Sequence, residues 1–432
     1  MERKIINELK EWKSRANRQP LLLQGARQVG KTYTLLEFGK KNYTNTVYFS
    51  MEDSKEIPAI FERDLNPDRI VRELAALSGK SIVPEETLLI FDEIQACERA
   101  LTSLKYFAEQ APEYHVAAAG SLLGVAMDRK KYSFPVGKAD MLRMHPMDFE
   151  EFLWAMGERE ICGLIREAYD GFSPLSLHEK AMDLYKTYLV VGGMPRAVQE
   201  YTDRKDFDYI AVVHRTLNDS YIADMAKYAT PQETARIMAA WGSVPGQLAK
   251  ENHKFQYKVI RSGARAGEYE VALDWLAAAG IVNKCVRVTH GKTPLASYMD
   301  NEAFKLYMMD TGLLCSKFEI AANVVLNTPH SFDGFKGALT ENYICQALAA
   351  NGITPYYWSA PGKAEVDFVF GDRQGNVLPL EAKSAENVKS KSLRTYRDIY
   401  KPEYSIRVSA KNFGFETGIK SIPLYAVFCL TI

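Results

Sequence analysis

No cysteine of this chain stands in a C-x-x-C pair. The six present (Cys97, Cys162, Cys285, Cys315, Cys345, Cys429) are scattered singly, which argues against a zinc site or a disulfide framework and marks them as reduced packing residues. Net charge is lacking as well. Its 54 basic side chains cancel 54 acidic ones, so nothing pulls the whole chain toward nucleic acid, and any such contact must come from a local patch. No apolar run is long enough to span a bilayer. The start, Met1-Glu2-Arg3-Lys4-Ile5-Ile6, lacks the apolar core and small-residue cleavage site of a signal peptide. A soluble, cytoplasmic protein with no membrane partner is expected. At 432 residues the chain exceeds one ordinary core, which predicts roughly two to four domains.

What the chain does have is the stretch Leu21-Leu22-Leu23-Gln24-Gly25-Ala26-Arg27-Gln28-Val29-Gly30-Lys31-Thr32. An apolar strand leads into a glycine loop, and Lys-Thr opens a helical pattern in which Leu35, Leu36 and Phe38 suit packing on a sheet. The pattern G-x-x-x-x-G-K-[ST] suits a triphosphate because its glycines let the backbone close tightly. Successive N–H groups and a helix N-terminus then point at phosphate. Gly25, Ala26, Arg27, Gln28, Val29, Gly30, Lys31 and Thr32 are therefore the candidate ATP-binding set. Lys31 would reach the β- and γ-phosphates, and Thr32 would hold Mg²⁺. A glycine turn without a ligand is the plain alternative. Before the loop, Ile5, Ile6, Leu9 and Trp12 recur at helical spacing, as an amphipathic helix lying against the nucleotide domain does.

After a strand at Thr46-Val47-Tyr48-Phe49, an acidic irregular segment and a helix over 69–77, the run Thr87-Leu88-Leu89-Ile90-Phe91-Asp92-Glu93 reads as an apolar strand ending on two carboxylates. Strand ends are where sites form in parallel sheets. Behind a P-loop, Asp92 would complete the Mg²⁺ shell through water, and Glu93 would orient or deprotonate the attacking water. A third strand, His115-Val116-Ala117-Ala118-Ala119, ends at Gly120-Ser121. Ser121 would sit where a polar residue senses the γ-phosphate, unless it merely makes a turn.

Strand, P-loop, acidic strand and polar-tipped strand in this order resemble an AAA+ type ATPase core. The segments Ser133-Phe134-Pro135-Val136-Gly137-Lys138 and Met141-Leu142-Arg143-Met144-His145-Pro146-Met147-Asp148-Phe149-Glu150-Glu151-Phe152 sharpen the match. The chain resembles the bacterial and archaeal AAA-type ATP-binding proteins that carry a C-terminal domain of unknown function, usually restriction-endonuclease-like. Relatives often read Gly-Arg where this chain has Gly137-Lys138, and lysine cannot reproduce arginine's planar fork on a transferring phosphate. The motif Val191-Gly192-Gly193-Met194-Pro195-Arg196 also resembles this family. It interrupts a helical periodicity running from Glu150 to about Arg204, which reads as a helical lid over the nucleotide; Arg196 would aim at the γ-phosphate as a sensor, unless it is a plain surface arginine.

Further on, helices are expected at 209–227, 231–242, 244–252 and 268–280, with a strand at 281–288. Helix-turn-helix plus a strand pair describes a winged helix. Its last helix carries Glu268, Glu270 and Asp274, while Lys254, Lys258, Arg261 and Arg265 precede it. An acidic recognition helix is a poor groove reader, so docking to a protein or gripping of the DNA backbone is favoured over sequence-specific reading. The stretch Phe304-Lys305-Leu306-Tyr307-Met308-Met309-Asp310-Thr311-Gly312-Leu313-Leu314 again resembles the family. Glu341 lies on a predicted helix. Glu365-Val366-Asp367-Phe368-Val369-Phe370 and Leu378-Pro379-Leu380-Glu381-Ala382-Lys383 read as a hairpin, and strands are expected again at 404–408 and 424–430. Side chains two apart share a strand face, so Asp367, Glu381 and Lys383 fall together. This is the D…E-x-K arrangement of restriction-endonuclease-like folds, in which Glu341, Asp367 and Glu381 would ligate a hard cation and Lys383 would position water.

The expected fold is α/β: a P-loop NTPase (AAA+-like) parallel sheet over 1–150, a helical lid over 151–204, a winged-helix module over 205–303 and a restriction-endonuclease-like domain over 304–432. The leading functional expectation is an ATPase using ATP and Mg²⁺ whose cycle repositions a nuclease-like domain acting on DNA. The alternative is a nucleotide-gated switch that binds a protein partner, or itself, and cuts nothing.

Overall fold

The computed structural model describes residues 1–53, 55–121, 137–250, 253–327, 333–360, 364–384 and 391–431. Ser133-Phe134-Pro135-Val136 of the family-like segment lie outside the described residues. The chain forms two compact units, Met1–His145 with Ala278–Gly280, and Pro146–Ala277 with Ile281–Ile432.

In the first unit, parallel strands β1 (Leu21–Gln24), β2 (Asn45–Ser50), β3 (Thr87–Asp92), β4 (His115–Gly120) and β5 (Asp140–Arg143) form a sheet in the order β2-β3-β4-β1-β5. Parallel neighbours need crossover connections, and helices supply them. Leu21, Leu22 and Leu23 are fully buried, each contributing about 1.5–3 kcal/mol of transfer free energy. Helix α1 (Ile5–Ser14) buries Ile5, Leu9 and Trp12 as its spacing predicts. Helix α2 (Lys31–Asn42) buries Leu35 and Phe38, but Leu36 faces solvent. The segment expected to be irregular after β2 contains a helix, α3 (Glu56–Arg63). Ile57 and Phe61 bury on one side of it, and Phe61 meets Phe91 edge-on at 5.6 Å. Only two apolar anchors are needed for two turns, too few to register as a period. Helix α4 (Pro67–Ser78) starts on an Asn66 cap and ends at the left-handed Gly79, and α5 (Glu98–Gln110) connects β3 to β4.

The second unit contains an eight-stranded mixed sheet: β6 (Val282–Val288), β7 (Met299–Met308), β8 (Tyr356–Ala360), β9 (Ala364–Gly371), β10 (Val377–Ala382), β11 (Ser405–Ser409), β12 (Gly414–Glu416) and β13 (Ile419–Pro423). Their order is β12-β13-β11-β10-β9-β8-β6-β7. The divisions expected at 204 and 303 both fall inside this unit. The second cuts β7, which pairs antiparallel with β6 from Val282↔Met308 to Val288↔Met299 while β6 runs parallel to β8. The strand pair expected as a wing is thus the edge of the larger sheet. The helix Asp333–Ala350 fastens it there, with Asn342 accepting from the Met308 N–H at 2.7 Å and donating to the Met308 carbonyl at 3.1 Å.

Two helices expected at 231–242 and 244–252 are one, Pro231–Leu248, which continues through Gly242 and Pro245. A Thr230–Glu233 capping box starts it, and burial of Ile237, Ala240, Trp241, Val244 and Leu248 along one side offsets the donor lost at Pro245. The run expected as a strand at 424–430 is a 3₁₀ helix, Leu424–Cys429. All six residues are buried, and a continuous apolar run carries no period to separate the two forms.

The helical stretch read as a lid packs within the second unit. Gly193 accepts the Met147 N–H at 2.7 Å and donates to Asp310 Oδ2 at 2.6 Å. A Cβ on Gly193 would lie 1.9 Å from the Met147 carbonyl oxygen, and one on Gly192 would lie 2.3 Å from Asp310 Oδ1. Three family-like segments, around 147, 193 and 310, therefore meet at one backbone crossing.

Candidate functional site

Gly25 follows β1 at φ +152°, and a Cβ there would lie 2.2 Å from the Met144 carbonyl oxygen, which leaves glycine as the residue that fits. Gly30, at φ +96°, turns the chain into α2. Lys31 is buried, with Nζ donating to the Gly25 and Ala26 carbonyls at 2.9 Å each. Arg3 braces the loop from α1's side, donating to the carbonyls of Val29 at 2.8 Å and His145 at 2.6 Å.

Thr32 at the start of α2 donates its hydroxyl to Asp92 Oδ2 at 2.7 Å, and Tyr48 donates to the same oxygen at 3.0 Å. Two groups expected to share Mg²⁺ therefore stand side by side. Hard oxygen donors suit that ion, so these residues fit it. Glu93 takes a left-handed conformation at φ +48°, a strained position for a non-glycine residue, and accepts from Gln95 Nε2 at 2.5 Å. Burial raises its carboxyl above the ordinary range, Gln95 and Lys31 oppose that, and Asp92 adds to it. Strand β4 lies between β1 and β3, with Gly120 opposite Gln24, and Ser121 is buried one residue beyond its tip. Lys138 ion-pairs with Glu109 at 3.2 Å. Arg196 belongs to the second unit, exposed in the first turn of the helix Pro195–Arg204.

The C-terminal constellation is brought together in the second unit. Leu380 pairs with Phe368, which sets Glu381 opposite Asp367, and the Ala382 N–H donates to Asp367 Oδ2 at 2.8 Å. Lys383 Nζ binds Glu381 Oε1 at 2.6 Å. Glu341 Oε2 accepts from Tyr307 at 2.6 Å, meets Lys305 Nζ at 3.2 Å and lies 3.0 Å from His253 Nδ1. Lys305 Nζ also reaches Glu365 Oε1 at 3.0 Å, while Lys254 Nζ holds Glu365 Oε2 at 3.0 Å. Burial works against charge on Glu341, yet Lys305 and His253 hold its carboxyl well below the usual range. Asp367 goes the other way: burial first, then neighbouring Glu341, pushes it up. Each carboxylate expected to ligate metal is already engaged by the chain. As they stand, Glu341 and Glu381 are paired with Lys305 and Lys383 rather than open to a metal, and among the described residues no group of three or more His, Cys, Asp or Glu is placed to hold one.

Sequence reasoning missed Tyr48, Gln95, Arg3, His253, Lys305 and Glu365. Lys305 had a signal: a lysine between Phe304 and Leu306 inside a strand that ends Leu306-Tyr307-Met308. Such a cation is buried only when paired.

Three family models match parts of the chain: one described as AAA domain over residues 17–153, one described as domain of unknown function DUF8612 over 182–323, and one described as domain of unknown function DUF4143 over 336–427. No curated protein matches. Among solved structures, the chain is similar to the Walker-type ATPase paby2304 of Pyrococcus abyssi, at 14% identity over 72% of this chain and 94% of that one with a TM-score of 0.44. It is also similar to the ORC2 protein of Aeropyrum pernix in ADPNP–ADP complexes, at 12% identity, 76% and 92% coverage and a TM-score of 0.33. AMPPCP-bound DnaA of Aquifex aeolicus follows at 15% identity, 63% and 85% coverage and a TM-score of 0.31. The match over 17–153 agrees with the loop and sheet described above. Residues 17–153 thus carry a domain similar to the AAA domain. No described helix is long and apolar enough to cross a membrane.

Proposed function

We propose that the chain hydrolyses MgATP at the loop 25–32 and uses the nucleotide cycle to work its second unit on a partner. The observation that supports this reading is the contact of Thr32 with Asp92 at 2.7 Å, beside a lysine held on the loop carbonyls at 2.9 Å. Lys31 exchanges those carbonyls for the β- and γ-phosphates. Thr32 and Asp92 would hold Mg²⁺, which would neutralise charge on the phosphates. Glu93, its carboxyl raised by burial, orients water and accepts its proton. Ser121 and Arg196 are proposed as γ-phosphate sensors. Phosphate release from ATP tests the reading. Turnover should require Mg²⁺ and fall about 100-fold or more in Asp92→Asn, and an unchanged rate in that variant would remove the assignment.

For the partner, the second unit favours a protein or a second copy of the chain over nucleic acid. On the helix Ala266–Ala278 the exposed side chains include Glu270, Asp274 and Val271, the last 67% exposed. Of the basic residues before it, Lys254 is paired with Glu365 and Arg261 with Glu268 at 3.0 Å each. Lys258 and Arg265 remain without an ion pair among the described residues. Any DNA contact through this segment should therefore ignore sequence and weaken with salt, with a log–log slope of about −2, since each neutralised phosphate contributes about −0.9. Fluorescence anisotropy with two unrelated duplexes over a salt series checks this, and strong discrimination between them at physiological salt would contradict it.

Cleavage of DNA by Glu341, Asp367, Glu381 and Lys383 is the second reading, supported by their convergence on facing strands and a helix. No step is assigned to it, because the carboxylates do not fit a metal as they stand.

A further inference from the structure

Lys305 is 1% exposed, on β7, and its ammonium contacts carboxylates from two other elements: Glu341 on the helix Asp333–Ala350 at 3.2 Å and Glu365 on β9 at 3.0 Å. Burying an ammonium ion costs several kcal/mol unless opposite charge meets it. Here that charge comes from the neighbourhood a divalent ion would need. The remaining groups complete the closure. Lys254 holds the second oxygen of Glu365, Lys383 holds Glu381, and Tyr307 and His253 crowd Glu341. The buried Tyr357 ring lies 5.3 Å from Lys305 Nζ, and its hydroxyl has no hydrogen-bond partner among the described residues. A hard divalent ion draws carboxylate oxygens to about 2.0–2.6 Å. Entering this cluster, it would stand within a few ångströms of a fixed positive charge, which repels it strongly in a poorly solvated interior.

We infer that Lys305 is the built-in cation of the C-terminal carboxylate cluster and keeps it closed to divalent metal, so that a metal enters only when this ammonium is removed from Glu341 and Glu365. The inference goes beyond the ATPase reading. It takes from the cleavage reading only the chemical class of the ion, and it does not require that anything be cut.

Mn²⁺ binding to the nucleotide-free full chain, measured by calorimetry, tests it. The variant is Lys305→Met combined with Glu365→Gln, which removes one charge of each sign and leaves Glu341, Asp367 and Glu381 in place. Wild type should show no Mn²⁺ binding that Asp367→Asn removes. The double variant should gain one site, at least about tenfold tighter than any wild-type signal from the cluster, and lose it when Asp367→Asn is added. Dependence on Asp367 separates this site from any Mn²⁺ at Thr32 and Asp92. If circular dichroism shows the methionine variant unfolded, Lys305→Gln with Glu365→Gln is read in its place. Asp367-dependent binding by wild type overturns the inference, and so does a folded double variant that binds none. A double variant that binds Mn²⁺ yet leaves DNA intact supports the inference and counts against cleavage alone.

Discussion

Lys31→Ala is expected to abolish ATP binding, whereas Glu93→Gln keeps the nucleotide and stops its turnover. The two residues sit about one loop, yet the proposed mechanism gives them different atoms. Lys31 is buried against the Gly25 and Ala26 carbonyls at 2.9 Å, so its ammonium is already desolvated, and exchanging carbonyls for phosphate replaces neutral acceptors by charged ones. Alanine leaves nothing to make that exchange. Glu93 lies beyond the end of β3 with a carboxyl that burial raises above the ordinary range, which makes it a stronger base toward water. Glutamine preserves its shape and its contact with Gln95 but cannot take the proton, so the rate should drop about 10²- to 10⁴-fold with little change in affinity. Calorimetry with ATP and a phosphate-release assay read the two effects separately. Equal rates for Glu93→Gln and wild type would falsify the assignment of Glu93 to water.

The second large effect is on stability. Gly193→Ala would put a methyl group 1.9 Å from the Met147 carbonyl oxygen, a backbone atom that cannot swing away. The Gly193 backbone also makes the 2.7 Å bond from the Met147 N–H and the 2.6 Å bond to Asp310 Oδ2. A shift that relieves the overlap breaks at least one of them, so the second unit should lose about 3 kcal/mol or more. Chemical denaturation followed by tryptophan fluorescence measures it, and an unchanged midpoint would contradict the crossing.

The same crossing sets a pH dependence. Burial pushes the Asp310 carboxyl from 3.8 to about 6, against backbone N–H groups of Gly193, Leu313 and Gly312 that favour its charge. In the folded protein it takes up a proton more readily than in the unfolded chain. Its stabilising share is therefore fully present below about pH 3.8, is lost as pH rises through about 6, and is flat above that. Asp310→Asn should remove this slope from a denaturation series.

The glycine loop and the carboxylate-tipped strand were legible because their patterns are local. Gly25, Gly30, Lys31 and Thr32 lie within eight residues, and the apolar strand before Asp92 announces its own end. The second unit was less so, because tertiary burial decides it. The glycines at 192 and 193 read as an interruption in a helical lid before a sensor arginine, whereas they are where backbone meets Met147 and the Asp310 side chain. Neighbours in space but not in sequence leave no spacing to read. Asp367, Glu381 and Lys383 were placed together by strand periodicity, but Lys305, which decides what they can bind, comes from a strand some sixty residues earlier that periodicity alone does not bring alongside.

The outer strand of the large sheet, β7, is ten residues long. A bare margin of that length offers unpaired N–H and carbonyl groups to any passing chain. Here Lys254 bridges to Lys305, and the Phe255 N–H donates to the Phe304 carbonyl at 2.9 Å, so residues 253–255 cover its middle. The covering segment also delivers His253 to Glu341 and Lys254 to Glu365. Margin and charge cluster thus share a single fastening: whatever peels 253–255 away uncovers a sticky rim and strips the His253 ring and the Lys254 ammonium from the carboxylates in the same movement.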